Sequence, residues 1–419
     1  MGAGLRRQRK LDTYLYFIKF YVFYPKRDII MVAYSKVITS ISGYNNWLEV
    51  ADFNKDGKLD VLIIAYGTSE VDVLYGNGDG TFSGQKKVGS SKSVSTMSVA
   101  DFNRDGYPDV VVSSDIGSQI LVMSSHADGT FSTKTIQAPN LNSSTIGDIN
   151  ADGQMDILYV TLSSVVILRG NGDGTFQAPV SYAVAGGADA AVIGDFNGDG
   201  RQDVAVSSYD GTVSVLLGKA DGSLGAATSY ATGPAPVGIA TADFNRDGKL
   251  DLIVANFTDA SFSILINKGD GTFLPQAKYA DLSKPESFVI ADFNGDGNLD
   301  FLVCHSRGRG GTIYIGNGDG AFRGSLLSPV DGWNDRTGDF NGDGKPDVIS
   351  INSDTGKIEV LTMDFTPLII SGDAQPALEN VSASTPVYTV KASGLTQWDI
   401  VYSISGGADA NLFSIDGAT

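Results

Sequence analysis

One nine-residue motif, D-x-N-x-D-G-x-x-D, occurs seven times in this chain at a spacing of 47 to 49 residues. Every copy has Asp at positions 1, 5 and 9, Asn at position 3 and Gly at position 6. Sequence periods of this length are typical of repeat architectures, in which each repeat forms one supersecondary unit. We therefore expect a single repeat architecture, although 419 residues would otherwise suggest two or three domains.

Each repeat has the same order of apolar runs and turns. In the fourth copy, AAVIGDF precedes the Asp motif, and DVAVSSY, TVSVLLG and AATSYAT follow it. Four β-like runs in each unit, with almost no helical periodicity, match the blade of a β-propeller. A solenoid β-helix would have a much shorter repeat. The sequence therefore predicts an all-β, seven-bladed β-propeller with four-stranded blades.

The two ends of the repeat region complement each other. The seventh repeat has no final turn and no outer strand, whereas MVAYSKVITS before the first repeat is an extra β-like run. We predict that this N-terminal strand closes the last blade. The predicted domains are a leader or poor signal or anchor segment at 1–28, the propeller at 29–365, and a further segment at 366–419.

The spacing of the acidic residues within the motif suits calcium. Ca²⁺ takes six to eight oxygen ligands, and a short loop supplies them when carboxylates alternate around a glycine turn. Position 7 varies freely, as expected where the backbone carbonyl is the ligand. We predict up to seven Ca²⁺ ions, held by residues 1, 3, 5, 7 and 9 of each copy. These are Asp52, Asn54, Asp56, Lys58, Asp60; Asp101, Asn103, Asp105, Tyr107, Asp109; Asp148, Asn150, Asp152, Gln154, Asp156; Asp195, Asn197, Asp199, Arg201, Asp203; Asp243, Asn245, Asp247, Lys249, Asp251; Asp292, Asn294, Asp296, Asn298, Asp300; and Asp339, Asn341, Asp343, Lys345, Asp347.

The alternative is that the seven loops are turns without metal, because Asp, Asn and Gly all favour turns. A turn needs two or three such residues and gives no reason for Asp at position 9 in every copy. Without metal, the three carboxylates would repel one another, so a loop would either loosen or raise a carboxylate pKa. We therefore favour calcium.

The net charge agrees with that interpretation. The formal charge is −18, and seven Ca²⁺ ions would cancel 14 of these charges. Such an acidic surface repels nucleic acid. Calcium sites of the weak extracellular kind fill only near millimolar calcium, so we expect an extracellular or cell-surface protein. Cys304 is the only cysteine, which rules out an intrachain disulfide.

The DFNxDGxxD loop with a following GDGTF resembles the FG-GAP or VCBS repeats of integrin alpha subunits and of secreted bacterial proteins. The resemblance covers most of the chain. It implies that each loop lies between the first two strands of a blade and binds Ca²⁺. It also implies that ligands bind on the opposite face of the propeller. The segment from Pro386 resembles the opening strands of a bacterial cadherin-like β-sandwich that is incomplete here.

A candidate ligand patch stands before the first and last motifs, on blades that would be neighbours in a closed ring. It consists of Tyr44, Trp47, Trp333, Asn334 and Arg336. Aromatic and polar side chains of this kind suit a sugar face or a protein side chain. The alternative is that both indoles pack the closure seam or plug the channel.

Catalytic motifs are absent from the sequence, which has two histidines and no H-E-x-x-H, G-x-S-x-G or P-loop pattern. We therefore predict no enzymatic activity, and an adhesion or ligand-binding module for an extracellular protein or glycan. The alternatives are a calcium-dependent polysaccharide-degrading enzyme, either a lyase or a glycosidase, and a structural spacer. We expect a monomeric propeller within a larger chain, with membrane anchoring only through the N-terminal segment.

Overall fold

A computed structural model describes residues 13–23, 29–41, 44–66, 70–91, 94–114, 116–281, 283–305, 310–328, 334–352 and 355–368. Across these ranges the chain contains β-strands and turns but no helix. These ranges therefore include no helix that is long and apolar enough to span a membrane. The strands form seven antiparallel sheets, which are the blades of a propeller. The segment predicted to be cadherin-like lies outside the described residues from residue 369 onwards, and so does Trp333.

Each blade begins with a short inner strand beside the central axis. The inner strands are β3 (Tyr44–Ala51), β7 (Thr96–Ala100), β11 (Ser143–Gly147), β15 (Ala188–Gly194), β19 (Pro236–Ala242), β23 (Pro285–Ala291) and β27 (Arg336–Gly338). The second strands are β4 (Asp60–Tyr66), β8 (Asp109–Ser114), β12 (Asp156–Thr161), β16 (Asp203–Ser208), β20 (Asp251–Asn256), β24 (Asp300–His305) and β28 (Asp347–Ile351).

The third and outer strands complete the blades. The third strands are β5 (Glu70–Gly76), β9 (Gln119–Ser125), β13 (Ser164–Leu168), β17 (Thr212–Leu216), β21 (Ser261–Leu265), β25 (Gly311–Gly316) and β29 (Ile358–Leu368). Six outer strands follow them directly: β6 (Phe82–Ser90), β10 (Phe131–Gln137), β14 (Val180–Ala183), β18 (Thr228–Ala231), β22 (Ala277–Ala280) and β26 (Phe322–Ser328).

The seventh blade takes its outer strand from the other end of the chain. Strand β2 (Ile29–Thr39) pairs antiparallel with β29, in a register from Ile29 opposite Leu368 to Thr39 opposite Ile358. The predicted closure by an N-terminal strand is therefore confirmed. Strand β1 (Thr13–Phe23), within the stretch predicted as a leader, pairs with β2 as a fifth strand of this sheet.

The inner strands contact one another in sequence around the axis, and β27 contacts β3, so the ring is closed. Hydrophobic cores lie between adjacent blades. One of them joins Leu158 and Val160 of blade 3 to Val204 and Leu216 of blade 4. Because both faces of a blade are covered by its neighbours, the second strands are continuous buried runs, such as the fully buried β16. The outer strands are mostly exposed, as in β18.

Candidate functional site

The seven Asp motifs form loops between the inner and second strands, all at the same face of the ring. Two backbone positions of each loop are left-handed. The glycine at position 6 has φ between 79° and 83° in all seven copies. Position 4 also has a positive φ, between 57° and 78°, and is Gly198, Gly295 and Gly342 in three copies. A Cβ is disfavoured in this region, which explains those glycines. Position 4 varies among the copies, and its left-handed backbone was not predicted from the motif.

Three backbone-to-side-chain hydrogen bonds fold each loop onto itself. In the first copy, Gly57 N–H donates to Asp52 Oδ2 at 2.7 Å, and Asp56 N–H donates to Asn54 Oδ1 at 2.8 Å. The N–H of Lys58 donates to Asp56 Oδ1 at 3.0 Å. The same three bonds recur in the other six copies. The loop geometry is therefore uniform.

The aspartate at position 9 has a structural role of its own. Asp60 is fully buried, and its Oδ2 accepts the N–H of Phe53 at 3.0 Å while its Oδ1 accepts the N–H of Gly76 at 2.9 Å. All seven copies have the first bond, and six have the second. This carboxylate fastens the start of the loop to the end of the third strand. The invariance of position 9 therefore has a structural cause that does not require a metal.

The seventh copy lacks the second of these bonds. Other blades turn at the end of the third strand and present an N–H to the position-9 carboxylate, whereas β29 continues to Leu368. Oδ1 of Asp347 is consequently buried without a hydrogen-bond partner. Burial, together with the charges of Asp343 and Asp339, raises the pKa of Asp347 to about 7. In the first copy, burial and neighbouring carboxylates raise the pKa of Asp60 to about 6.

The donor atoms of the loops fit calcium in kind. Positions 1, 3, 5 and 9 offer carboxylate and amide oxygens, and position 7 offers a carbonyl, all hard ligands. Oδ1 of Asp101, at position 1 of the second loop, is buried without a hydrogen-bond partner. Within the described ranges, however, no three acidic, histidine or cysteine side chains converge as a metal site requires. The role of the 35 loop residues in holding calcium remains a prediction.

In three copies, the side chain at position 4 is a lysine or arginine that extends to the next loop of the ring. It contacts residue 6 or 7 of that neighbouring motif. The contacts are Lys55 Nζ with the Tyr107 ring, 4.1 Å from its centroid, Arg104 with the Gly153 carbonyl oxygen, and Arg246 Nη1 with Asn298 Oδ1 at 3.2 Å. These side chains place positive charge between adjacent acidic loops.

The aromatic residue at position 2 packs against the next blade. The rings of Phe196 and Phe273 lie 5.7 Å apart, edge to face. Equivalent pairs are Phe53 with Phe131, Phe82 with Phe340, Phe102 with Phe176, and Phe244 with Phe322. In the remaining pair both members are aliphatic, since Ile149 of blade 3 shares a core with Leu224 of blade 4. The GDGTF turn is thus an interblade contact.

Four of these turns also donate a hydrogen bond across the blade boundary. Their first glycine has a positive φ, and their second glycine donates its N–H to the position-2 carbonyl of the preceding blade, as Gly80 does to Phe340 O at 2.8 Å. The other three such donors are Gly174, Gly271 and Gly320. Where the first glycine is replaced by Ala127 or Ala220, the same N–H bonds within its own turn. The positive φ of the first glycine is therefore associated with a hydrogen bond from the second glycine to the neighbouring blade, and not within its own turn.

A pocket of about 620 Å³ lies on the axis at the opposite face of the ring, where the inner strands begin. All seven blades contribute to its wall. Four inner strands have β-bulges beside it, between Asn45 and Trp47, between Ala188 and Ala191, between Pro236 and Ile239, and between Pro285 and Ser287. Bulges re-aim side chains, and the last three contain Asp189, Gly238 and Glu286 of the pocket wall. These bulges were not predicted from the residue pattern.

The predicted ligand residues differ in where they lie in the structure. Trp47 and Asn334 line the pocket. Trp47 also packs against the core between blades 1 and 2. The guanidinium of Arg336 instead pairs with Glu49 of blade 1, with Nη2 and Oε1 2.6 Å apart. The side chains of Tyr44 and Trp333 lie outside the described part of the chain, so a single patch of all five residues remains a prediction.

Fold and loops together define a seven-bladed propeller with an Asp-rich loop in every blade. The family model of the FG-GAP-like repeat matches six overlapping segments, at residues 52–112, 101–159, 148–206, 195–254, 243–303 and 292–350. The chain therefore belongs to the FG-GAP-like repeat family. No curated protein matches it.

Solved structures share the fold at low sequence identity. BBS1N, solved in complex with ARL6DN, is 14% identical with a TM-score of 0.56, over 77% of this chain and 93% of its own. An Agrocybe aegerita lectin is 18% identical with a TM-score of 0.54, over 85% and 95% of the two chains. A Lactobacillus plantarum protein is 13% identical with a TM-score of 0.53, over 78% and 98%.

Proposed function

We propose that this chain is an extracellular, calcium-stabilised ligand-binding propeller that acts in adhesion to a protein or glycan. The observation that carries the proposal is the axial pocket, to which every blade contributes and which lies on the face away from the Asp loops. A concave site of this size with convergent polar groups is where small ligands and terminal groups bind. Adhesion and the extracellular location are part of this proposal.

Calcium is proposed as the stabilising ion of the loop face. Oxygen donors at five positions of each loop and the net charge of −18 support it. At ten times the dissociation constant, one bound ion adds about 1.4 kcal/mol to the free energy of unfolding. Seven independent ions would add about 10 kcal/mol, which rivals the stability of a whole domain. The metal would hold the loops, and the pocket would bind the partner.

The calcium part is tested by calorimetric titration and by thermal melts in chelator. We expect a stoichiometry near seven and a large fall in melting temperature when Ca²⁺ is removed. Fewer than about four ions, or an unchanged melting temperature, would contradict this part of the proposal and favour loops that are only turns.

The ligand part is tested on an array of glycans and extracellular matrix proteins in Ca²⁺. One propeller of this fold, the Agrocybe aegerita lectin, specifically recognises non-reducing terminal N-acetylglucosamine, so terminal sugars belong on the array. We expect binding that Trp47→Ala reduces and that Tyr107→Ala, on the loop face, leaves unchanged. If no glycan or matrix protein on the array binds, the result would favour a structural spacer.

Enzymatic activity is the second candidate, and one observation favours testing it. The pocket wall contains two carboxylates, Asp189 and Glu286, and a pair of carboxylates is what most glycosidases use. We propose that the protein binds without turnover. Product analysis after incubation with polysaccharides checks this, and any oligosaccharide product that disappears in Asp189→Asn would establish an enzyme.

A further inference from the structure

The charged groups in the wall of the axial pocket are all negative. Asp189 of blade 4 and Glu286 of blade 6 line it, and the described residues of the wall include no lysine, arginine or histidine. Lys284, which is not part of the wall, has its Nζ 4.5 Å from the ring centroid of the wall residue Phe257. An anionic ligand would therefore be repelled by the wall, and a cationic group would be attracted.

Asp189 is held in place by both its own blade and the preceding one. Asn142 Nδ2 of blade 3 donates to Asp189 Oδ1 at 2.9 Å, and the Ser143 hydroxyl donates to the Asp189 carbonyl oxygen. The Tyr209 hydroxyl also donates to the carboxylate. The bulge of β15 turns this residue toward the axis. The carboxylate is thus a preorganised acceptor, which lowers the entropic cost of binding.

The electrostatics of the neighbouring groups agree with a negative charge in the pocket wall. Burial raises the pKa of Asp189. The pKa of Tyr209 rises to about 12, because of burial first and then the charges of Asp189 and Glu286. Both shifts show that the surroundings disfavour further negative charge. A partly buried carboxylate in such a setting gains most from a cation that enters with the ligand.

The rest of the wall suits a sugar ring. Hydroxyl groups of Thr96 and Ser143 and the amide of Asn334 line the pocket, together with the aromatic rings of Trp47 and Phe288. Hydroxyls and amides satisfy ring hydroxyls, and aromatic faces pack on the C–H faces of a pyranose. A lysine side chain would bring an ammonium group but has no hydroxyl groups to bond with these polar side chains.

We propose that the axial pocket binds an amino sugar with a free, protonated amine, whose ammonium group contacts the Asp189 carboxylate while its hydroxyls contact the surrounding wall. This inference rests on the proposed ligand-binding function and names the chemistry of the ligand. Glu286 supplies a second negative charge at the same pocket. Uronic acids, sialic acid and sulfated sugars are excluded by the same charges.

The test uses the full chain in Ca²⁺ and two probes that differ in one group. Calorimetry compares a glucosamine tetramer with the N-acetylglucosamine tetramer of identical linkage. We expect the free amine to bind at least tenfold more tightly, and the difference to shrink at high salt because the contact is ionic. Asp189→Asn should remove the difference while leaving the neutral tetramer within about twofold.

The matched control is Asp210→Asn, which removes one negative charge beside Tyr209. Asp210 is exposed, accepts a bond from the Thr212 hydroxyl at 2.7 Å, and is not part of the pocket wall. We expect it to retain the tenfold preference. A melt establishes that each variant is folded. If Asp189→Asn fails to fold, Tyr209→Phe takes its place, because it removes one hydroxyl from the carboxylate and should weaken binding of the amine tetramer alone.

Three outcomes would overturn this inference. They are equal affinity for the two tetramers, a preference for the amine that Asp189→Asn leaves intact, and tighter binding of a lysine-containing peptide than of the glucosamine tetramer. Binding of the neutral tetramer or of a protein would then still support the broader proposal. Failure of every probe and of the array would contradict both.

Discussion

Arg336 of blade 7 and Glu49 of blade 1 form a bidentate ion pair across the join of the ring. Arg336 Nη2 lies 2.6 Å from Glu49 Oε1, and Nε lies 3.1 Å from both carboxylate oxygens. The two residues are 287 positions apart in the chain. The pair therefore connects the first and last repeats beside the axis.

Removal of this arginine is expected to destabilise the ring. Arg336→Met leaves the Glu49 carboxylate without its cation, and its side chain is only 12% exposed, so we expect a loss of about 2 kcal/mol in the free energy of unfolding. The double variant with Glu49→Gln should recover most of that loss. Urea unfolding measures both. The control is Lys87→Met, which breaks an exposed pair with Glu70 and should cost less than about 1 kcal/mol.

Position 9 and position 5 of a loop should respond differently to chelator. Asp203→Ala leaves the buried N–H group of Phe196 and the partly buried N–H group of Gly218 without an acceptor, so we expect a loss of about 3 kcal/mol even without metal. Asp199→Ala, at the exposed position 5, should cost less than about 1 kcal/mol in chelator. In excess Ca²⁺ both variants should lose one ion by titration. Equal losses in chelator would contradict the structural role of position 9.

The buried carboxylate of Asp335 makes stability depend on pH. It is 2% exposed and accepts a bond from the Cys304 thiol, and burial raises its pKa to about 6 from an ordinary value of 3.8. Because the folded pKa is the higher one, its stabilising contribution is complete below about pH 4 and is lost as pH rises through 6. Asp335→Asn should therefore raise the free energy of unfolding at pH 8, by about 3 kcal/mol at most, and change little at pH 4. Denaturant unfolding at the two values, with chelator throughout, checks this, and a gain independent of pH would disprove it.

The interblade aromatic pairs should be energetically coupled. In a double-mutant cycle on Phe196→Ile and Phe273→Leu, we expect each single variant to cost about 1 to 2 kcal/mol. The double variant should cost less than the sum by about 1 kcal/mol, because the edge-to-face contact is lost only once. Phe53, on a distant blade, provides the control: Phe53→Ile combined with Phe273→Leu should be additive.

The fold was predictable because its determinants are local and repeated. Seven motifs with four β-like runs each indicated the blades, and the missing outer strand after Asp347 indicated that the N-terminus closes the ring. The pairing of β2 with β29 confirms this. Strand β1 was not foreseen, because the basic and apolar residues before Pro25 suggested a leader and nothing local indicates that Thr13–Phe23 pairs with β2.

The site was predictable only in part. The loop residues could be named from their spacing, but the bond from Phe53 N–H to Asp60 depends on burial, which the motif does not reveal. The wall of the pocket combines Asp189 with Asn142 and Tyr209, and a bulge in β15 turns Asp189 toward it. A bulge depends on the pairing between two strands, which the sequence of one strand does not reveal.

The sheet shared by β2 and β29 has a consequence for synthesis. During translation, β2 leaves the ribosome first, whereas its partner β29 emerges after the six intervening repeats. One edge of β2 can pair with β1, but the edge that β29 will cover must stay open while the earlier blades form. Because contacts between distant residues form slowly, closure should be the last and slowest step of maturation. A nascent chain released before Leu368 would have an unpaired edge suited to association with a second copy.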